Sequence, residues 1–137
     1  MRIVIDTNVL LSGLMLPASI PGHVVRAALS GDVRCVSSEE LQAELARALF
    51  YPRVRSRIRL ADEELQRFLA ELRYVVEFVD IRGARVRVPR DRGDDAVLGT
   101  FVASGAECLV SGDEDLLSLR HRYAVLTARE FYERHLL

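Results

Sequence analysis

The sequence predicts an α/β protein whose strands and helices alternate around a central, mostly parallel sheet. Short apolar runs alternate along the chain with longer segments in which apolar residues recur with a period near 3.6, as in successive βα units. Several of the longer segments also begin and end at residues that typically cap helices. At 137 residues, half of them hydrophobic, the chain is expected to form one domain spanning residues 1–137.

The five predicted strands are the short apolar runs. In chain order they cover residues 2–5, 33–36, 74–79, 108–110 and 123–126. The predicted helices lie near residues 22–30, 39–50, 62–73, 94–104, 113–119 and 128–135. Residues 52–60 and 82–93 remain as two long, arginine-rich connections that lack the length and composition of domain linkers.

Residues at the helix ends support these boundaries. Ser38 precedes an acidic first turn, and Thr127 has Glu130 three residues later, as a capping box requires. Asp94 and Asp113 also occupy cap positions. Helix ends are marked by Pro52 and by Gly105.

Composition and charge restrict the class of protein. The 19 basic and 20 acidic residues give a formal charge of −1, which argues against indiscriminate binding to nucleic acid. No apolar stretch suits a membrane span and no signal peptide is visible, so residence in the cytoplasm is expected. Cys35 and Cys108 lie inside apolar runs without metal-binding spacing, and we expect both to be reduced core residues.

Four acidic residues, far apart in sequence, are expected to meet at one edge of the sheet. Asp6 and Asp113 are each the first acid after a predicted strand, and open parallel sheets bind ligands beyond the carboxyl ends of their strands. Asp94 opens a helix, and Glu44 lies within one. Clustered carboxylates repel one another unless a divalent cation lies among them, so the set predicts a metal site and metal-assisted phosphodiester cleavage.

Asp6 and Glu44 each have a structural alternative. Asp6 could be an ordinary cap for a helix beginning near Val9. Glu44 lies mid-helix, where no cap is needed, at the margin of an apolar stripe, but it could pair with Arg47 on a solvated flank. Thr7 and Asn8 follow Asp6 and could orient a carboxylate or a water.

Position along each helix separates the remaining acids from their neighbours. Counting back three and four residues from the buried positions Val97 and Leu98 places Asp94 on the inward face of its helix and Asp95 on the flank. A helix cap is the alternative for Asp94. Asp113 ranks above Asp115, a further possible ligand, because it is closer to the end of its strand.

A nucleic-acid substrate would need cationic groups beside such an acidic pocket. Every basic residue of the chain is arginine, and two clusters fall in the long connections. The residues expected to contact nucleic acid are Arg53 and Arg55 in the first cluster and Arg90 and Arg92 in the second. Pairing with nearby acids on a solvated face is the alternative for each of them.

At these residues the chain resembles the PIN-domain nucleases over essentially its whole length. Residues 3–10 (IVIDTNVL) resemble the opening strand and first acid of that family, and residues 38–45 (SEELQAEL) resemble its second block, with Glu44 in the acidic position. The third block is matched by residues 90–94 with Val97, Leu98 and residues 103–106, and the fourth by residues 111–116 (SGDEDL). Gly93 stands where a further acid is frequent, and Ser111 replaces the common threonine while keeping the hydroxyl group that would orient a ligand.

The resemblance implies a three-layer α/β/α sandwich, Mg²⁺ or Mn²⁺ held by Asp6, Glu44, Asp94 and Asp113, and endoribonuclease activity. It is strongest with the VapC-like toxins of toxin–antitoxin pairs, which implies an RNA substrate, a small antitoxin protein and a homodimer. The chemistry would use a metal-activated water to attack a backbone phosphate.

Three other functions remain open from the sequence. The same acids would serve a housekeeping RNA-processing nuclease or a flap-type DNA nuclease. A non-catalytic nucleic-acid-binding module on this fold would leave the complete set of acids unexplained. A phosphatase using Asp6 as its nucleophile would want a second aspartate two residues later, where Asn8 stands.

Overall fold

A computed structural model describes residues 1–83 and 95–137. The strands are β1 (Arg2–Ile5), β2 (Arg34–Ser37), β3 (Glu77–Phe78), β4 (Cys108–Val110) and β5 (Val125–Leu126). The helices are α1 (Thr7–Met15), α2 (Ile20–Ser30), α3 (Glu39–Leu49), α4 (Pro52–Arg55), α5 (Asp62–Val75), α6 (Asp95–Ser104), α7 (Glu114–Leu117) and α8 (Ala128–His135).

The strands form one parallel sheet in the order β3-β2-β1-β4-β5. The central strand β1 pairs on one side with β2, where Ile3 lies opposite Cys35, and on the other with β4, where Ile3 lies opposite Cys108. Both cysteines are buried and free, as expected. The arrangement confirms the predicted α/β class and its five-stranded parallel sheet.

Successive side chains of each strand pack alternately into two apolar layers, one on each face of the sheet. Ile3 and Ile5 of β1 pack into a cluster with residues of α1, α2, α3, α5 and α8 on one face of the sheet. Val4 points to the other face, where it packs with Leu98 of α6 and Leu116 of α7. The period-two alternation of the strands therefore produces helix layers on both faces, which confirms the three-layer sandwich.

The largest differences between the predicted elements and the structure concern α1, α4, β3 and β5. Helix α1 is expected from the sequence only in the alternative in which Asp6 caps a helix near Val9, and α4 lies in a predicted connection. Strands β3 and β5 are each two residues long, shorter than the predicted strands at 74–79 and 123–126. Helix α5 continues through Val75, and the N–H group of Val76 still bonds to the carbonyl oxygen of Leu72 at 3.0 Å. The predicted strand at 74–79 therefore loses its first residues to the helix before it.

Several of the predicted helix caps are confirmed. Ser38 accepts a hydrogen bond from the N–H group of Leu41, and Thr127 forms the predicted capping box with Glu130. Gly105 follows α6 with a φ of 65°, a left-handed conformation that favours glycine after a helix. Pro52 was predicted to close a helix and instead opens α4, the first-turn position that proline tolerates.

Within the described ranges, no helix alone has the length and hydropathy to cross a membrane; α1 and α2 meet that test only when taken together across a 107° bend.

Candidate active site

The order of the strands creates a crevice beyond the carboxyl ends of β1 and β4. From β1 the chain first builds β2 and β3 on one side, and only later adds β4 and β5 on the other. Ligands of open α/β sheets bind at such a change of direction. Asp6 directly follows β1 and Ser111 directly follows β4, and the Ser111 hydroxyl donates a hydrogen bond to Oδ2 of Asp6 at 2.7 Å.

Asp6 occupies the N-cap position of α1 but does not cap the helix with its side chain. Its backbone is extended, and its carbonyl oxygen accepts hydrogen bonds from the N–H groups of Val9 and Leu10. The side chain is only 4% exposed and faces Ser111. The capping alternative explains where α1 begins, but it does not explain why a buried carboxylate stands there.

Glu44 is brought towards Asp6 by the helix that follows β2. The Thr7 hydroxyl, on the first residue of α1, donates a hydrogen bond to Oε2 of Glu44 at 2.8 Å. Among the described residues, 1–83 and 95–137, no arginine lies within salt-bridge distance of Glu44. The alternative pairing of Glu44 with Arg47 is therefore not formed. Glu44 is therefore oriented by a hydroxyl group and forms no ion pair with a described arginine.

Asp113 combines a capping role with a position beside Asp6. Its Oδ1 accepts a hydrogen bond from the N–H group of Asp115 at 2.9 Å, which caps the short helix α7. Its own N–H group donates to the Ser111 hydroxyl oxygen at 3.0 Å. Ser111 thus contacts both aspartates, and the cap explanation for Asp113 is compatible with a role in the same pocket.

The electrostatics of Asp6 reflect this crowding. Burial is the main cause that raises the pKa of its carboxyl group from 3.8 to about 6, and the charges of Asp113 and Glu44 raise it further. The hydrogen bond from Ser111 and the N–H group of Thr7 favour the ionised form but do not offset these effects. A cation beside Asp6 would remove this cost, as expected for a carboxylate that binds metal.

Polar burial is concentrated at the carboxyl ends of the strands. The described residues that are polar and buried include Asp6 and Thr7 after β1, Ser37 and Ser38 around the end of β2, and Ser111 after β4. Buried polar groups require partners, and these side chains form hydrogen bonds with one another, with Glu44, or with polar groups of the adjoining helices. The sheet edge that carries the acids is therefore an ordered polar surface.

The donor chemistry suits a hard cation. Carboxylate oxygens are the ligands that Mg²⁺ prefers, and Mg²⁺ keeps several waters, so it needs few protein ligands. Ser111, Thr7 and the N–H group of Asp115 each fix one oxygen of a carboxylate, which leaves oxygens of Glu44 and Asp113 for a cation. Among the described residues, no group of three or more acidic, histidine or cysteine side chains is arranged closely enough to hold a metal ion. The predicted ligand Asp94 lies outside the described residues.

The arginines expected to bind nucleic acid differ in their surroundings. Arg53 is exposed. Arg55 is engaged in its own connection, where it pairs with Asp62 at 2.8 Å and donates to the carbonyl oxygens of Ile58 and Leu60. The alternative of pairing with nearby acids therefore describes Arg55. Arg90 and Arg92 lie outside the described residues.

The remaining predicted neighbours are also placed. Thr7 is buried and contacts Glu44, whereas Asn8 is exposed. Asp115 is half-buried and meets Asp113 through its N–H group. Sequence reasoning missed Gln42 and Thr100, whose buried side chains bond to Ser37 and Ser38. The sequence signal that could have identified Thr100 is its position as a polar residue within the apolar segment of α6, next to Phe101.

Comparisons with known proteins identify a family and a shared fold. The family model described as PIN domain matches residues 2–115. The uncharacterized protein MJ1680 of Methanocaldococcus jannaschii is 26% identical over 119 residues, which are 87% of this chain and 75% of that protein.

Two solved structures share the fold at low sequence identity. A chain of VapBC-1 from nontypeable Haemophilus influenzae is 14% identical with a TM-score of 0.61, over 94% of this chain and 99% of that one. A chain of VapBC2 from Rickettsia felis, solved bound to a DNA fragment from its promoter, is 14% identical with a TM-score of 0.57, over 93% of this chain and 98% of that one.

Proposed function

The chain belongs to the PIN domain family, and on that premise we propose that it is a divalent-metal-dependent endoribonuclease that hydrolyses RNA phosphodiester bonds. The observation that carries the proposal is the buried Asp6, which lies between two strand ends and close to the charges of Glu44 and Asp113. Burying a carboxylate near two other acids is energetically costly, and the contacts of the Asp6 side chain give no structural reason for it.

The proposed cation is Mg²⁺ or Mn²⁺, held by Asp6, Glu44, Asp113 and Asp94, with Asp115 as a further possible ligand. When bound, such a cation activates a water at neutral pH and neutralises charge that develops on the phosphoryl oxygens. Ser111 orients the Asp6 carboxylate and Thr7 orients that of Glu44. Burial of Asp6 excludes bulk water, which strengthens electrostatic interactions in the crevice.

The RNA backbone would be held by arginine side chains. Arg53 has an exposed side chain, and Arg90 and Arg92 complete the proposed set. Arg55 is less suited to this role because its guanidinium group already bonds to Asp62 and two carbonyl oxygens. Phosphate contacts of this kind position a strand without reading its sequence.

We further propose that the protein acts as the toxin of a toxin–antitoxin pair, as a homodimer that a small antitoxin protein silences. The support is likeness of fold to chains of two VapBC complexes. Expression of the chain alone should arrest growth, and expression of Asp6→Asn should not. Growth arrest that persists with Asp6→Asn would contradict a nuclease toxin.

The substrate is tested with a panel of labelled nucleic acids. Purified protein is incubated with single-stranded RNA, structured RNA, single-stranded DNA and a DNA flap, in Mg²⁺, in Mn²⁺ or in EDTA. We expect cleavage of RNA in either metal, no cleavage in EDTA, and loss of activity in Asp6→Asn. The matched control is Asp32→Asn, which changes an exposed aspartate in the connection after α2 and should retain full activity.

The outcomes separate the competing functions. Cleavage restricted to the DNA flap would favour the flap-type nuclease. Binding of nucleic acid without cleavage in either metal would favour the non-catalytic module. Cleavage in EDTA, or full activity of Asp6→Asn, would contradict the proposed mechanism.

A further inference from the structure

A fully buried hydrogen bond joins two helices beside the acidic crevice. The hydroxyl oxygens of Ser38 and Thr100 lie 2.9 Å apart, and both residues are 0% exposed. Ser38 caps α3, and Thr100 lies within α6 on the opposite side of the contact. The two residues are 62 positions apart in sequence. A buried hydrogen bond between their side chains fixes the relative position of the two helices more specifically than apolar contact alone.

Neighbouring groups determine the direction of this hydrogen bond. The N–H group of Leu41 donates to the Ser38 oxygen at 3.3 Å, and the Thr100 hydroxyl donates to the carbonyl oxygen of Ala96 at 2.8 Å. Each hydroxyl group has one proton. Because the Thr100 hydroxyl donates its proton to the Ala96 carbonyl oxygen, the Ser38 hydroxyl must donate to the Thr100 oxygen. The hydrogen bonds therefore run in one direction, from the Leu41 N–H group in the first turn of α3 to the Ala96 carbonyl in the first turn of α6.

Both ends of this series of hydrogen bonds lie close in sequence to proposed metal ligands. Ser38 is the N-cap of the helix that carries Glu44, and Ala96 is two residues from Asp94 in sequence. Leu41 of α3 and Val97 of α6 belong to the same apolar cluster, on the face of the sheet that α6 covers, so the first turns of the two helices lie close together around the hydroxyl pair. A rotation of α3 relative to α6 would break this series of hydrogen bonds and leave buried hydroxyl groups unpaired, which is costly.

From this geometry we propose that Ser38 and Thr100 are positioning residues for the metal site. Their hydrogen bond fixes the axial rotation of α3 relative to α6 and thereby the distance between Glu44 and the start of α6. The inference rests on the proposed function, because the site it positions is the proposed metal site. Neither hydroxyl group is a metal ligand, and neither contacts the substrate.

The test measures Mn²⁺ affinity by titration calorimetry in the absence of RNA, together with the rate of RNA cleavage. Thr100→Val keeps the shape of the side chain and removes the hydroxyl group. We expect it to weaken Mn²⁺ binding roughly 10-fold, as loss of a supporting hydrogen bond typically does. Thr100→Ser keeps the hydroxyl group and should bind Mn²⁺ within about twofold of wild type.

Two further variants separate positioning from loss of stability. Thr127→Val removes the cap of α8, should lower the unfolding midpoint, and should leave Mn²⁺ affinity unchanged. Ser38→Ala removes the same hydrogen bond from the other helix and carries the test if Thr100→Val does not fold. The double variant should weaken binding by less than the product of the single effects, because both remove one shared interaction.

The outcomes are distinct. Unchanged Mn²⁺ affinity in Thr100→Val, with an active wild type, would overturn the positioning role alone. Equal weakening in Thr100→Ser and Thr100→Val would also overturn it, because the hydroxyl group would then not matter. A wild type that neither binds Mn²⁺ nor cleaves RNA would overturn the proposed function, and this inference with it.

Discussion

At the scale of single residues, Asp6 is where proposed function and stability oppose each other. The carboxyl group is nearly fully buried, and two neighbouring acids raise its pKa together with burial. Ser111 donates one hydrogen bond, which is a small compensation for removing a charge from water. A folded chain without a cation therefore bears an electrostatic cost at this position.

We predict that Asp6→Asn stabilises the metal-free protein at neutral pH. The folded-state pKa of about 6, against 3.8 for the unconstrained group, means that the folded chain binds this proton more tightly than the unfolded chain. Stability attributable to Asp6 is therefore lost as pH rises from about 4 through about 6. Above that range the loss is on the order of 3 kcal/mol, and the variant avoids it.

Urea denaturation in EDTA at pH 4.5 and pH 7.5 measures this difference. The free energy of unfolding of Asp6→Asn should exceed that of wild type at the higher pH, with most of the gain absent at the lower pH. The exposed control Asp32→Asn should differ little from wild type at both pH values. A variant less stable than wild type at pH 7.5 would show that Asp6 is structural.

How far the site follows from sequence depends on the residue. Asp6 and Asp113 could be placed because each follows an apolar strand, and Glu44 stood out because no cap explains a mid-helix acid. The partner of Thr100 could not be foreseen, because the hydrogen bond joins residues 62 positions apart through the packing of two helices. Long-range polar pairs leave no periodic signal in the sequence.

At the scale of elements, α1 shows why a buried helix escapes detection by periodicity. Its buried residues include Leu10, Leu11 and Leu14, which do not form a single apolar stripe. A helix that is apolar nearly all round lacks the amphipathic signal. The amphipathic helices α5 and α8, with polar faces towards solvent, were predicted close to their observed bounds.

The junction of α1 and α2 gives a prediction at this scale. A Cβ atom added at Gly22 would lie 2.1 Å from the carbonyl oxygen of Pro17, which is backbone and cannot move aside cheaply. In an unhindered helix, replacing glycine by alanine is stabilising. We expect Gly22→Ala to lower the free energy of unfolding by about 1–3 kcal/mol instead, because of this clash.

Thermal and urea denaturation check the sign. Gly112→Ala is the comparison, since no atom lies within 4 Å of its added Cβ and its φ is not positive. That change should alter stability by less than about 0.5 kcal/mol. An increase in stability for Gly22→Ala would mean that the loop at Pro17 yields more easily than the geometry indicates.

At the scale of the whole molecule, strand order makes the site. Sequence patterns predicted five strands and their direction, since βα units build parallel sheets. They did not determine the order β3-β2-β1-β4-β5, which depends on long-range pairing. Because β1 is central, the residue after it lies beside the ends of both β2 and β4, and acids from opposite halves of the sequence reach one crevice.

The convergence of these acids is tested most directly by Glu44→Gln, compared with Glu40→Gln one turn earlier on α3. The measurement is the single-turnover rate of RNA cleavage in saturating Mg²⁺. We predict that Glu44→Gln slows cleavage by roughly 100-fold or more, since the proposed site loses a charged ligand, while Glu40→Gln stays within about twofold of wild type. A Glu44→Gln protein that cleaves RNA at the wild-type rate would contradict the claim that the strand ends and α3 build one catalytic metal site.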